Sequence, residues 1–335
     1  MSKLSYILSR VSKVDYKKMW ATLGVLQKRS GKSRLWLSAD LLQCALRYNA
    51  GYMDYMIAEM YRLSAAQRKT VITRGINNAI VRRMNDKRWW HAFDDKAEFN
   101  TRFAKWVDRD WIRLNAATKK QELSDFLRDK QAVFIKPING SSGVGVSKYL
   151  KNQWQDMDAF HELAVKSGDC ILEDCVVQHP LMAGLCPTSV NTVRIATMLG
   201  EKRQGILYAF LRIGNGKVMD NVDCGGMAAR VDLSSGKLLT VAADKQGRVF
   251  TSHPMTNTPI VGFQLPFFEE AKALCEEAMR VVPQLAYVAW DVALTQNGPR
   301  LIEGNSFPSH AVPQFAAHYP DGIGILPEFG RFIDL

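Results

Sequence analysis

The chain has 335 residues, 47% hydrophobic and 23% charged, which fits a folded protein with room for two or three packed units. No apolar run approaches the roughly 18 residues of a membrane span, and the opening Met1-Ser2-Lys3-Leu4-Ser5-Tyr6-Ile7-Leu8-Ser9-Arg10 lacks the apolar stretch of a secretory signal, so a cytoplasmic protein is expected. The net charge of +11 is uneven, +14 over residues 1–130 and −3 over residues 131–335, which fits either a solvated helical surface or attraction to a polyanion.

Residues 1–90 read as a basic helical region. Leu41, Leu42, Ala45 and Leu46, then Met53, Met56, Ile57 and Met60, recur at spacings of three and four. Proline is absent before Pro137, so no helix in this part is forced to break. No heptad persists, so no coiled coil is expected. After about residue 130 the pattern changes. Ala132–Ile135 is a short apolar run ending in Lys136-Pro137, which predicts a strand. A glycine-rich segment, Gly140-Ser141-Ser142-Gly143-Val144-Gly145-Val146, follows, then a helix around Asp156–Val165. Ile171–Val177, Val193–Leu199, Gly205–Ile213, Met227–Leu233 and Tyr287–Leu294 read as strands, and Pro266–Val281 as a helix with Glu269 and Glu270 in its first turn. The class is α+β with mostly antiparallel sheet. The six cysteines form no CxxC pair and read as reduced thiols, with no zinc site expected.

The most informative segment is Trp290–Asn305. Asn297-Gly298 signals a turn. A three-residue loop with Gly298 in the left-handed conformation would set Thr295 against Pro299 and Asp291 against Glu303. Opposed residues share a face, and Asn305 lies two residues beyond Glu303, so Asp291, Glu303 and Asn305 would converge. Three hard oxygen donors suit Mg2+ with sites left for water and phosphate. A loop one residue different would send Asp291 to the other face.

The glycine-rich segment can curl its amides round an anion, with the Ser141 and Ser142 hydroxyls as added donors. A plain hairpin loop has the same composition. It is neither a Walker loop, lacking Lys-Ser/Thr, nor a dinucleotide fingerprint. Lys136, at a strand end four residues before Gly140, is either a solvated edge residue or a point charge for phosphates. Arg194 is an arginine inside a strand. It could bind a carboxylate or acyl phosphate bidentately, or pair with an acid such as Asp223. Arg230, after Gly225-Gly226, could face the same cleft or form a salt bridge. His310 is the one histidine close to the proposed metal site. Trp89, Trp90, Trp106 and Trp111 read as packing.

Lys136-Pro137 with Gly140–Val146, then Ile171-Leu172-Glu173-Asp174, then Asp291 and Glu303-Gly304-Asn305 resemble the ATP-grasp superfamily over roughly residues 91–330. Gln178-His179-Pro180, Ser189–Arg194, Gly225-Gly226 and Leu301–Asn305 resemble its sugar-transfer-associated branch. The resemblance implies two α+β subdomains clasping ATP, one near 91–175 and one near 176–335, behind the helical extension. It implies that Lys136 touches the ATP phosphates, with Ser141, Ser142, Gly143 and Gly145 closing over them. Glu173, Asp174 and Val176 would belong to the adenine hinge, and Asp291, Glu303 and Asn305 would hold Mg2+. The superfamily's earlier lysine would be Lys96, with Lys87 as competitor.

The activity so implied is a carboxylate–amine ligase. ATP would activate a carboxylate as an acyl phosphate, and an amine would displace phosphate to leave an amide, with Lys136, Arg194 and Arg230 as the catalytic cations. A phosphotransferase without amide formation, or a polyanion-binding protein with a vestigial ATP site, are the other readings. The substrate would be a small molecule, peptide or glycan of the kind used in cell-surface polysaccharide synthesis. The basic region would meet an acidic glycan or the anionic inner membrane surface rather than a nucleic acid.

Overall fold

The computed structural model describes residues 14–140 and 145–335. Its first unit is helical. Helix α1 (Tyr16–Ser30) starts on an Asp15 cap and ends at Gly31, whose left-handed φ of 71° closes the helix. Helix α2 (Arg34–Tyr48) is capped by Ser33 and ends at left-handed Asn49. Leu23, Leu26, Leu37, Cys44 and Tyr55 form the core of this unit. Deep inside it, Asp40 accepts both forks of Arg68 at 2.8 Å and the Tyr55 hydroxyl at 2.7 Å. Among the described residues no helix is long and apolar enough to cross a membrane.

Helix α3 (Arg74–Met84) leaves that unit and joins the larger one. Its Ile80 and Val81 pack with Met198, Phe210 and Tyr287. Asn85 then fastens the chain, donating to the carbonyls of Tyr287 at 2.7 Å and Ser306 at 2.6 Å. The short segments between Ala92 and Val107 lay Phe93, Phe99 and Phe103 against Trp290 on the other side of the larger sheet. Trp89, Trp90 and Trp106 pack against the same cluster, as their composition suggested.

Two antiparallel sheets follow. The smaller runs β1 (Trp111–Leu114), β4 (Cys170–Asp174), β2 (Ala132–Pro137), β3 (Ser147–Leu150), in that order across the sheet. Helices α4 (Lys120–Leu127) and α5 (Met157–Lys166) cover it through Leu123, Leu127 and Phe160. The larger has seven strands in the order β11 (Gly298–Asn305), β10 (Tyr287–Thr295), β5 (Thr192–Leu199), β6 (Gln204–Ile213), β7 (Met227–Arg230), β8 (Ala242–Ala243), β9 (Val249–Phe250). Helix α6 (Phe268–Ala278) packs Ala271, Leu274 and Cys275 on one face of it. The other face carries Ala196, Phe210 and Ala228 at one end and charged groups at the other. Strand β7 stops at Arg230, three residues short of the expected Leu233, because the chain turns through Asp232, Ser234 and Ser235. Strand β1 gave no clear alternation and was not expected. The six cysteines form no disulfide.

Candidate active site

The hairpin β10–β11 differs from expectation at its turn and agrees at its base. Thr295 pairs with Gly298, not Pro299, so the loop is two residues long, with Gly298 at φ 100°. Carried along the ladder, that register would have put Asp291 on the wrong face. A bulge between Asp291 and Val292 takes up Ile302 as an extra residue, and Asp291 meets Glu303 after all. Gly304, beside them, turns to the opposite face, where any Cβ would overlap the Phe93 ring.

A single row of residues then crosses the charged face. Glu303 pairs with Asp291, Asp291 with Arg194, Arg194 with Phe210, and Phe210 with Arg230. Asp291 is 1% exposed and accepts three charged N–H groups: Arg194 through Nε and Nη2, each at 2.6 Å, and Arg212 Nη1 at 2.8 Å. Arg194 therefore pairs with Asp291 and not with Asp223, which pairs with Lys245. Burial would raise the Asp291 carboxyl, but the two guanidinium groups overcome it and hold the acid well below its ordinary range. Burial in the cleft and the neighbouring Asp291 charge push Glu303 the other way, upward. The side chain of Glu303 is still 44% open to the cleft.

Arg212 was missed in the sequence, although Leu211-Arg212-Ile213 carries the same signal as Arg194. Its second partner is Asp220, at 2.5 Å, which also accepts from the Thr192 amide and hydroxyl. Asp220 thus ties β5 to β6 and aims Arg212 at Asp291. Gln178 and Asn191, singled out by resemblance, bond to the Cys186 carbonyl and to each other, bracing the start of β5.

The smaller sheet contributes the opposing charges. Lys136 forms an ion pair with Glu173 on the neighbouring strand. Glu173 is buried, and Arg109 Nη2 reaches its other oxygen at 3.1 Å. Burial opposes ionisation here too, yet Arg109 and Lys136 keep this carboxyl below its usual range. Glu173 is thus a side-chain anchor for Lys136, besides lying at the strand end proposed as a hinge. Its neighbour Asp174 donates its amide to the Asp110 carbonyl at 2.9 Å and pairs with Lys130. Val176, just beyond the strand, lines a 560 Å³ cavity with Asp174, Cys175 and Val177.

Lys96 opens the short helix Lys96–Arg102, and its Nζ donates to the Gly140 carbonyl at 3.0 Å. Burial lowers its pKa, and the nearby charges of Glu303, Lys136 and Glu173 all act on it. Lys87 instead lies 5.8 Å over the Trp90 ring. Ser141, Ser142 and Gly143 lie outside the described residues. Gly145, at φ 76°, stands against Pro137.

The remaining candidates take these partners. Arg230 makes no salt bridge among the described residues and stacks 4.6 Å over the Tyr319 ring. His310 pairs with Asp54 of the helical unit at 2.7 Å. Asn305 donates from Nδ2 to the Ala289 carbonyl at 3.2 Å, and its carbonyl oxygen accepts no hydrogen bond among the described residues.

The donor set fits a hard divalent cation. It comprises two carboxylates and an amide oxygen, with no thiolate or imidazole. Glu303, 3.8 Å from Arg194 through Oε1, stays partly open to the cleft, and Asn305 has an amide oxygen to offer. Asp291 has spent three of its roughly four acceptor positions on arginines and has one left to offer. Lys136 on the smaller sheet and Lys96 on the short helix before it lie close enough for Glu303 and Lys136 to act on the Lys96 charge, and both can supply positive charge for phosphate oxygens.

Residues 76–320 match the family described as sugar-transfer associated ATP-grasp. Among solved structures, the ATP-grasp ligase PsnB complexed with its minimal precursor is similar at 12% identity, with 74% of this chain and 63% of that one covered and a TM-score of 0.44. The VanG D-Ala:D-Ser ligase of Enterococcus faecalis gives 13% identity, 71% and 60% coverage and 0.43. The D-alanyl-alanine synthetase A of Vibrio cholerae gives 13% identity, 72% and 63% coverage and 0.43. The chain thus spans about three-fifths of the length of these structures. No curated protein matches it.

Proposed function

The chain belongs to the sugar-transfer-associated ATP-grasp family, and we propose that it is an ATP-dependent carboxylate–amine ligase. The observation that carries this reading is the facing of two charged sets. Glu303, partly open and 3.8 Å from Arg194, and Asn305 lie on the larger sheet, while Lys136 on the smaller sheet and Lys96 on the helix before it bring cations, with Glu303 acting on the Lys96 charge.

In the proposed reaction a substrate carboxylate oxygen attacks the γ-phosphorus of ATP and ADP leaves. An amine nitrogen then attacks the acyl carbon, the carbon–oxygen bond to phosphate breaks, and the amine loses a proton as the amide forms. Bound Mg2+ would neutralise phosphate charge, held by Glu303, Asn305 and the remaining position of Asp291. Lys136, fixed by Glu173, and Lys96, fixed by Gly140, would bind the phosphates and stabilise charge on the group in transfer. Arg194 and Arg212 would fix Asp291 and present a positive floor to the acyl phosphate. Arg230, which pairs with no carboxylate among the described residues, is the arginine available to a substrate anion. An acidic glycan or peptide is the carboxylate this cleft suits.

The test is ADP and phosphate release across a panel of acidic sugars and peptides, each with amino-acid amines, read together with product mass. An amide product whose formation is lost in Lys136→Ala and Glu303→Gln supports the reading. A stable phosphoester would assign phosphotransfer instead, and turnover unaffected by both substitutions would remove the site.

A further inference from the structure

Helix α2 is apolar on two opposite faces. Leu37, Leu41 and Cys44 point into the helical unit. Leu35, Ala39, Leu42 and Leu46, spaced four, three and four apart, form a second stripe on the far side. Leu35 is 83% exposed, and Leu42 and Leu46 are each 61% exposed. Nothing among the described residues covers this stripe, and three exposed leucines in line are not ordinary surface scatter.

The chemistry round the stripe is specific. Residues 14–48 contain seven Lys or Arg and two Asp. Neither acid is available there, since Asp15 caps α1 and Asp40 is buried against Arg68. Two half-exposed tryptophans stand beside these cations. Lys32 Nζ lies 3.9 Å over the Trp36 ring, and Arg34 lies 5.4 Å over Trp20. Aliphatic side chains on one helix face, with tryptophan and basic groups at its edge, are the parts of an interfacial helix. Leucines enter the acyl boundary, indoles take the headgroup level, and cations meet lipid phosphates.

We infer that the α1–α2 pair docks on an anionic phospholipid surface through the outward stripe of α2. A second copy of the chain suits the stripe less well, because a two-fold contact would set the same cations against each other. The inference is independent of the ligase reading, which concerns residues on the two sheets. It bears on it in one way: Arg29 of α1 lies against Gly247 of the larger unit, so a docked helix pair would hold the catalytic unit beside the bilayer.

The test is co-sedimentation of the full chain with phosphatidylcholine vesicles, with and without phosphatidylglycerol. The chain should partition onto the anionic vesicles, and Leu35→Ser/Leu42→Ser/Leu46→Ser should lower that partition on the order of tenfold or more. Those positions face solvent, so ADP binding by the variant should match the parent and show that it folds. A second variant, Lys32→Gln/Arg34→Gln/Arg47→Gln, should weaken binding to anionic vesicles and flatten its salt dependence. Failure of the parent chain to bind anionic vesicles overturns the inference, as does equal binding by the leucine variant. A vesicle-free dimer that the leucine variant abolishes would assign the stripe to a second copy and also overturn it.

Discussion

Asp291 faces Glu303 because two departures from a regular hairpin cancel: a loop one residue short at Gln296-Asn297 and one extra residue, Ile302, in the returning strand. The two acids then take unlike environments. Asp291 is sealed under Arg194 and Arg212, while Glu303 opens to the cleft. Their substitutions should therefore fail differently. Asp291→Ala leaves two buried guanidinium groups without their shared carboxylate and should cost about 3–5 kcal/mol of stability. Glu303→Gln should leave stability within about 1 kcal/mol and abolish Mg-dependent turnover. Thermal unfolding and calorimetric Mg-ADP titration of both variants separate the roles. Equal stability losses would sink the distinction.

Cation binding at this site should weaken with acid at a higher pH than an ordinary glutamate would allow. Burial and the Asp291 charge raise the Glu303 carboxyl, and a metal binds its ionised form. Affinity is therefore complete above the raised value and falls as pH drops through it, and only at and below that value does each cation bound displace up to one proton. Mn2+ or Mg2+ titrations in two buffers of different ionisation heat would read that proton. No proton release at any pH above the ordinary glutamate range would count against it.

The two candidate lysines lie in different places, so nucleotide binding should tell them apart. Lys96 is half-buried among Glu303, Lys136 and Glu173, whereas Lys87 is exposed beside Trp90. Loss of a charged hydrogen bond to phosphate costs about 1.5–3 kcal/mol. Lys96→Ala should weaken binding of a non-hydrolysable ATP analogue by a factor of roughly ten or more, and Lys87→Ala should not. The opposite ranking would move the second phosphate contact to Lys87.

How much of this was legible in the sequence follows from chain distance. Glu303 and Asn305 are two residues apart, and strand alternation alone puts them on one face. Lys136 ends an apolar run and announces itself. Asp291 could be paired with Glu303, but its arginines could not be found this way. They come from strands 97 and 79 residues away, and only the order of the sheet brings them in. Arg212 was recognisable as a strand-interior arginine; Asp220, in an irregular loop, was not. The bulge is invisible because Ile302 is as good a strand residue as any other, and its placement is decided by the partner strand. Glu173 was read for its backbone, since nothing local shows that Arg109 and Lys136 both close on its carboxylate.

One buried histidine ties the stability of the larger unit to pH. His318 is 1% exposed, its Nε2 bonds the Ala228 carbonyl at 2.9 Å, and its Nδ1 has no partner among the described residues. Burial outweighs that bond and lowers its pKa to about 4, so the folded protein holds the ring neutral. The unfolded chain takes up the proton near pH 6.5. Between those values the unfolded state binds the additional proton, so stability is complete above about pH 6.5 and declines as pH falls toward 4. The slope is about 1.4 kcal/mol per pH unit and the full loss about 3 kcal/mol. His318→Gln can still donate to Ala228 and has no proton to gain. Urea midpoints measured at pH 7, 6 and 5 should fall less steeply for this variant than for the parent chain. Parallel falls would show that other groups carry the acid sensitivity and that His318 titrates alike in both states.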